Sequence, residues 1–138
     1  MPTIRVAIAG ATGYTGEELI RLLLHHPHVR LTYLAASAKW ERPSSVSVVY
    51  PRFAPQLDLP IEALDPARLL GTADAVFLAL PHGTSMAVAP KLLAAGKRVV
   101  DLSGDFRLQD PALYPRWYQF PHAHPDWLTR REVAYGLT

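Results

Sequence analysis

Apolar residues along this chain fall into short dense runs separated by stretches where they thin out. The first run, Ile4-Arg5-Val6-Ala7-Ile8-Ala9, is β-branched and nearly all apolar, the pattern of a strand buried on both faces of a sheet. Residues 17–24 change period. Leu19, Ile20, Leu23 and Leu24 recur at helical spacing, Glu17 and Glu18 stand in the first turn, where the helix dipole favours anions, and His25-His26-Pro27 ends the element. Residues 29–35 predict a second strand. Residues 37–60 carry little periodicity, and only Val46-Ser47-Val48-Val49-Tyr50 reads as a short strand; residues 66–70 make at most a short helix. Residues 73–80 form another buried strand, ending on Pro81-His82-Gly83. A helix over 84–95 follows, with Met86, Val88, Ala89, Leu92 and Leu93 apolar and Gly96 as its stop. Residues 98–102 are the next strand. Beyond them the chain is irregular, with a short helix around 111–117 and an edge strand at Val133-Ala134-Tyr135.

Strands alternating with helices predict an α/β protein of Rossmann type, doubly wound around a mainly parallel sheet with right-handed crossovers. Ligands of such sheets bind beyond the carboxyl ends of the strands. Each distinctive short motif falls at such an end: Gly10 to Gly16, Ala36-Ser37-Ala38-Lys39, Leu80-Pro81-His82-Gly83, and Asp101-Leu102-Ser103-Gly104-Asp105-Phe106-Arg107. That coincidence predicts a single site.

Bulk composition narrows the class. A length of 138 residues suits one domain over 1–138, and 49% hydrophobic with 19% charged residues suits a folded globular chain. Fourteen cations against twelve anions leave a net charge of +2 with no basic run, which argues against nucleic acid as a partner. No apolar stretch is long enough to span a bilayer, and no leader precedes the first strand, so a cytoplasmic location is expected. Without cysteine there is no disulfide framework and no thiolate zinc site. The thirteen prolines gather mostly in 43–66 and 111–125, which predicts loop-rich regions there.

Gly10-Ala11-Thr12-Gly13-Tyr14-Thr15-Gly16 joins the first strand to the first helix, the setting a dinucleotide loop requires. Glycine allows a sharp turn and a close diphosphate, the helix N-terminus offers unpaired amides, and Thr12 and Thr15 add hydroxyls. The alternative is merely a tight strand-to-helix turn. An NAD site usually carries an acid at the end of the second strand. Here that end reads Ala35-Ala36-Ser37-Ala38-Lys39, with no carboxylate before Glu41. Ser37 and Lys39, with Arg42 behind them, suit the 2′-phosphate of NADP, unless Lys39 is simply a solvated loop lysine.

These residues resemble the N-acetyl-gamma-glutamyl-phosphate reductase family. The resemblance covers almost the whole chain: Gly10 to Leu19, Ala79-Leu80-Pro81-His82-Gly83, Asp101 to Leu108 with Asp110-Pro111 and Tyr114, Trp117-Tyr118, His122, His124-Pro125, and Ala134-Tyr135-Gly136-Leu137. It implies an NADPH-dependent reduction of an acyl phosphate to an aldehyde with release of phosphate, and a homo-oligomer at full length. It implies that Gly10, Thr12, Gly13, Tyr14, Thr15, Gly16, Ser37, Lys39, Leu80, Pro81 and His82 bind the cofactor, with the last three beside the nicotinamide or its ribose. Ser103 and Arg107 would bind substrate. The family's nucleophile is a cysteine just beyond the tyrosine-glycine-leucine stretch. These 138 residues hold no cysteine, so no catalytic residue is assigned and the chain alone is not expected to complete the reaction. A lysine-pathway aminoadipyl-phosphate reductase shares the motifs, and a non-catalytic NADP-binding module is the reading of another class.

Other residues keep two readings open. Leu80-Pro81-His82-Gly83 also suits a plain turn, and Arg107 also suits a structural pair with Asp105 or Asp110. His122 and His124 have the spacing of two metal ligands on a strand, but without a third ligand they read as a loop packed on the domain edge, and no metal is assigned. His25, His26 and His28 read as capping a helix end. Trp40, Trp117 and Trp127 lie in the irregular regions and are expected to face an absent domain.

Overall fold

The computed structural model describes residues 2–130 and 133–136. Its centre is a six-stranded sheet. β1 (Ile4–Ala9) lies between β2 (Val29–Ala35) and β5 (Ala75–Leu78), with β6 (Arg98–Asp101) outside β5. On the other side, β4 (Pro60–Glu62) pairs with β2, and β3 (Ser44–Ser45) closes that edge. Every pairing is parallel except β3 with β4. The strand order reverses at β1, which makes the crevice between the ends of β1 and β5 the topological switch point of a doubly wound sheet.

Alternation along β1 explains the two layers. Val6 and Ile8 face one apolar cluster with Leu19, Ile20, Leu31, Leu34 and Ile61; Ala7 and Ala9 face the other with Leu69, Val76, Leu78, Met86 and Leu92. α1 (Tyr14–Leu24) therefore covers one face, while α3 (Pro66–Thr72) and α4 (Ser85–Ala94) cover the other. α5 (Leu113–Trp117) and α6 (Pro125–Thr129) fold back near the ends of β5 and β6, placing Tyr114 and Leu128 in the second cluster.

The structure departs from the sequence reading in four places. Residues 46–50 hold a helix, α2 (Val46–Val49), instead of a strand. Val46, Val49 and Tyr50 pack inward at helical spacing while Val48 is exposed, and the Ser45 hydroxyl caps the Ser47 amide. Short apolar runs are ambiguous between the two periods, and here packing decides. α1 starts at Tyr14, so the glycine loop itself supplies the first turn. Val133-Ala134-Tyr135 forms no edge strand, and these residues line a cavity instead. Trp40 and Trp127 pack against this domain's own clusters, leaving only Trp117 of the three tryptophans largely exposed. β4 and α6 had no signal long enough to read. Leu137 lies outside the described residues.

Candidate functional site

β1 ends at Ala9, and the backbone turns at once. The amides of Gly10 and Ala11 both donate to the Ala35 carbonyl at 2.8 Å, which ties the loop to the end of β2. Gly10 has φ +94°, and a Cβ there would run into the Ala79 backbone at the end of β5. A Cβ on Gly16 would strike the Gly10 carbonyl, because α1 packs directly onto the loop. Packing within the chain thus accounts for these two glycines.

Gly13 differs. Its φ of −87° and ψ of 169° suit any residue, and the nearest atom to a built Cβ is 3.9 Å away. Neither strain nor internal packing demands a glycine there. No side chain caps α1 at Gly13, and the amides of Thr12, Tyr14, Thr15 and Gly16 have no acceptor among the described residues. Open space over Gly13 beside unpaired amides at a helix N-terminus is a fitting cradle for an anion.

The other strand-to-helix turn is closed by its own chain. Asp105 is fully buried, and its two carboxylate oxygens accept from the amides of Gly83 at 2.7 Å and Met86 at 2.9 Å. An acid thereby occupies the N-terminus of α4 and joins the loop after β5 to the loop after β6. The amide of Asp105 is held in turn by the Ser103 hydroxyl at 3.1 Å, and its carbonyl by His122 Nε2 at 2.5 Å. His122 Nδ1 accepts from the His124 amide at 2.9 Å. Both ring nitrogens are therefore committed to backbone groups, and Nε2 carries the proton. Burial pushes the His122 imidazole below its ordinary pKa.

His82 Nδ1 accepts from the Gly104 amide at 3.0 Å, leaving Nε2 free to project from the exposed side chain. Tyr118 stands edge-on to the His82 ring at 4.9 Å between centroids and receives a 3.4 Å hydrogen bond from Arg107. A Cβ on Gly104 would come within 2.5 Å of the Tyr118 hydroxyl, so glycine makes room for that ring. His82, Ser103, Arg107 and Tyr118 line one cavity of about 810 Å³ with Asp101 and Tyr135. The Asp101 carboxyl is raised by burial, against which the Ser103 amide and hydroxyl both donate to it. Arg107 pairs with neither proposed acid: Asp105 is taken up by Gly83 and Met86, and Asp110 accepts from the Ala112 amide. Its guanidinium is exposed at the cavity wall.

Ser37 and Lys39 are exposed on the loop after β2, beside the glycine loop that Ala35 anchors. The carboxylate next to Ala35 across the sheet, Glu62, is engaged by Arg68 at 2.5 Å. Pro81 is exposed, whereas Leu80 is buried in the core. By strand order, the predicted residues other than buried Leu80 follow one another along the carboxyl end of the sheet, from Ser37 after β2 past the glycine loop after β1 to His82 after β5, and on to Ser103 and Arg107 after β6.

Residues 5–138 match the family model for the NAD-binding domain of semialdehyde dehydrogenases. The chain belongs to that family. The family is described as an NAD-binding domain, and the switch point of this sheet carries an open glycine loop with room over Gly13 and amides that lack acceptors among the described residues. Relatives named N-acetyl-gamma-glutamyl-phosphate reductase are 48% identical in Herminiimonas arsenicoxydans and 49% in Bordetella pertussis, each over 97% of this chain. The chain spans little more than a third of those proteins, 37% and 36% of their lengths. Among solved structures, the fold is shared with aspartate semialdehyde dehydrogenase from Candida albicans, solved with NADP, at TM-score 0.60 and 21% identity over 79% of this chain and 32% of that one. It is shared too with aspartate semialdehyde dehydrogenase II from Vibrio cholerae, at TM-score 0.59 and 22% identity over 78% and 30%. No helix among the described residues is long and apolar enough to cross a membrane.

Two kinds of residue in this semialdehyde dehydrogenase domain escaped the sequence reading. Asp105 was legible only as part of a motif, and its role as a cap appears once Gly83 and Met86 are seen beside it. Tyr50 stood only at the end of the short strand expected over 46–50, and Arg52 carried no signal. Yet the Tyr50 hydroxyl donates to the Ala11 carbonyl at 2.9 Å, and Arg52 pairs with Glu17 at 2.9 Å.

Proposed function

We propose that this chain, over residues 1–138, is the NADP-binding domain of an enzyme that reduces N-acetyl-gamma-glutamyl phosphate to N-acetylglutamate semialdehyde, releasing phosphate. The observation that carries the reading is the 45–49% identity, across nearly the whole chain, to proteins named for that reaction. The geometry supports it. The amides of Thr12, Tyr14, Thr15 and Gly16 would hold the diphosphate, with Gly10 and Gly13 giving it room. Ser37 and Lys39 would take the 2′-phosphate, with the neighbouring Glu62 carboxylate already paired with Arg68.

When bound, NADPH would supply the hydride. The chain's own residues would do the rest of this domain's work. Leu80, Pro81 and His82 would border the nicotinamide, with His82 oriented by the Gly104 amide. Arg107, backed by the Tyr118 hydroxyl, would offer its planar fork to the substrate's phosphate or carboxylate, with Ser103 beside it. The nucleophilic cysteine belongs to the part of the enzyme outside these residues, so the chain by itself is inactive. A cytoplasmic homo-oligomer at full length belongs to the same proposal.

The test is the reverse reaction. Full-length enzyme should reduce NADP with N-acetylglutamate semialdehyde only when phosphate is present, and should do so poorly with NAD. Preference for an aminoadipate-derived semialdehyde would assign the lysine-pathway reaction instead, and no turnover with either would favour a non-catalytic module. Calorimetry on this chain should show tighter binding of NADP than NAD, and Lys39→Ala should erase most of the difference.

A further inference from the structure

We infer that Tyr50 is a positioning residue for the diphosphate loop, acting through the Ala11 carbonyl; this rests on the nucleotide-binding reading above. Ala11 is fully buried, and its amide is already fixed by the Ala35 carbonyl. Its own carbonyl accepts from the Tyr50 hydroxyl at 2.9 Å, across 39 residues of sequence. The peptide that joins Ala11 to Thr12 is planar and trans, so its C=O and N–H point in opposite directions. Holding the carbonyl toward Tyr50 turns the Thr12 N–H the other way, where it has no acceptor among the described residues. If that peptide flipped, the loop would present a carbonyl oxygen where it now presents a donor. To a diphosphate, that exchanges attraction for repulsion.

The brace is itself anchored. Tyr50 caps the C-terminus of α2, donating its amide to the Val46 carbonyl at 2.7 Å, and its ring stands edge-on to buried Phe53 at 5.8 Å. Arg52 lies over the Phe53 ring and reaches Glu17 in the first turn of α1. The segment from Val46 to Phe53 thus grips the loop at Ala11 and the helix at Glu17. Burial raises the Tyr50 phenol, so the hydroxyl keeps the proton it donates.

Tyr50→Phe keeps the ring and removes only the hydroxyl. In the full chain, NADPH titration by fluorescence should give a Kd roughly five- to tenfold higher than in the parent, the loss of one positioned hydrogen bond. The amide resonance of Thr12 should shift in the unliganded protein, and the thermal midpoint should fall by only the cost of one lost hydrogen bond, about 3–6 °C. Val48→Ala, on the exposed side of the same segment, should change none of these. Unchanged affinity in Tyr50→Phe, with the parent binding well, would overturn the inference and leave the cofactor reading intact. Weaker binding together with a thermal midpoint lowered by more than about 10 °C, or without a shift of the Thr12 amide, would overturn it too, by reducing Tyr50 to general support. A parent chain that binds neither NADP nor NAD would remove the cofactor reading and this inference with it.

Discussion

Three glycines in seven residues do three different jobs. Gly10 adopts a left-handed conformation against the Ala79 backbone, Gly16 lets α1 touch the loop, and Gly13 is constrained by nothing among the described residues. The expected consequences separate cleanly. Gly16→Ala should destabilise the fold by about 1–3 kcal/mol, because a methyl group there overlaps backbone rather than a yielding side chain. Gly13→Ala should leave the urea midpoint unchanged while weakening NADP and NAD alike, since it fills the space left for the diphosphate. A loss of stability in Gly13→Ala with affinity intact would contradict the assignment. The spacing of these glycines was legible in the sequence, but their division of labour was not. It depends on what approaches each α-carbon, and Ala79 arrives from 69 residues away in the chain.

At the scale of elements, two strand-to-helix turns side by side illustrate opposite uses of a helix N-terminus. α4 receives Asp105 from the next loop, so its first amides are satisfied internally. α1 has no such cap. Of the two, α1 keeps its N-terminal amides open among the described residues, although both turns carry glycine and both follow a buried strand. Asp105→Ala would strand two amides, one of them in the core. A cost of about 2–4 kcal/mol is expected in urea denaturation, with Asp105→Asn between the two because it keeps one acceptor. His82 should lose its orientation as well, since the Gly104 amide that holds it precedes Asp105 directly. The helix of residues 46–49 belongs to this scale too. Its apolar residues satisfied either period, and the face that Val46, Val49 and Tyr50 turn into the cluster around Ile20 and Ile61 selected the helix.

Across the whole molecule, stability should fall as the solution is acidified, in two windows. His122 is held below its ordinary value of 6.5 by burial, so the unfolded chain takes up its proton first, and stability declines as pH drops below about 6.5. Asp74, clamped by both the backbone and the guanidinium of Arg5, is lowered from 3.8 to about 2; its contribution is present above 3.8 and is lost between there and about 2. Asp101, raised by burial, opposes that second decline. Thermal midpoints from pH 7.5 to 5.5 should fall, and His122→Asn should flatten the slope; an unchanged slope would show that His122 is not the titrating group. At the β6 side of the sheet, Leu93, Val100 and Leu102 are each more than two-fifths exposed next to the large cavity. Exposed apolar residues gathered in this way mark a surface suited to a protein contact.

The sequence by itself determined the four central strands β1, β2, β5 and β6, the Rossmann-type class and the glycine loop, because each is written in contiguous residues whose period or spacing needs no partner to be read. Only the tertiary structure decided which amides stay open, that Asp105 closes α4, that Tyr50 holds Ala11, and that 46–49 coil into a helix. The physical reason is the same in each case. These outcomes rest on hydrogen bonds and buried faces joining residues about 10–40 positions apart, and such pairings exist only once the sheet has brought the loops to one end.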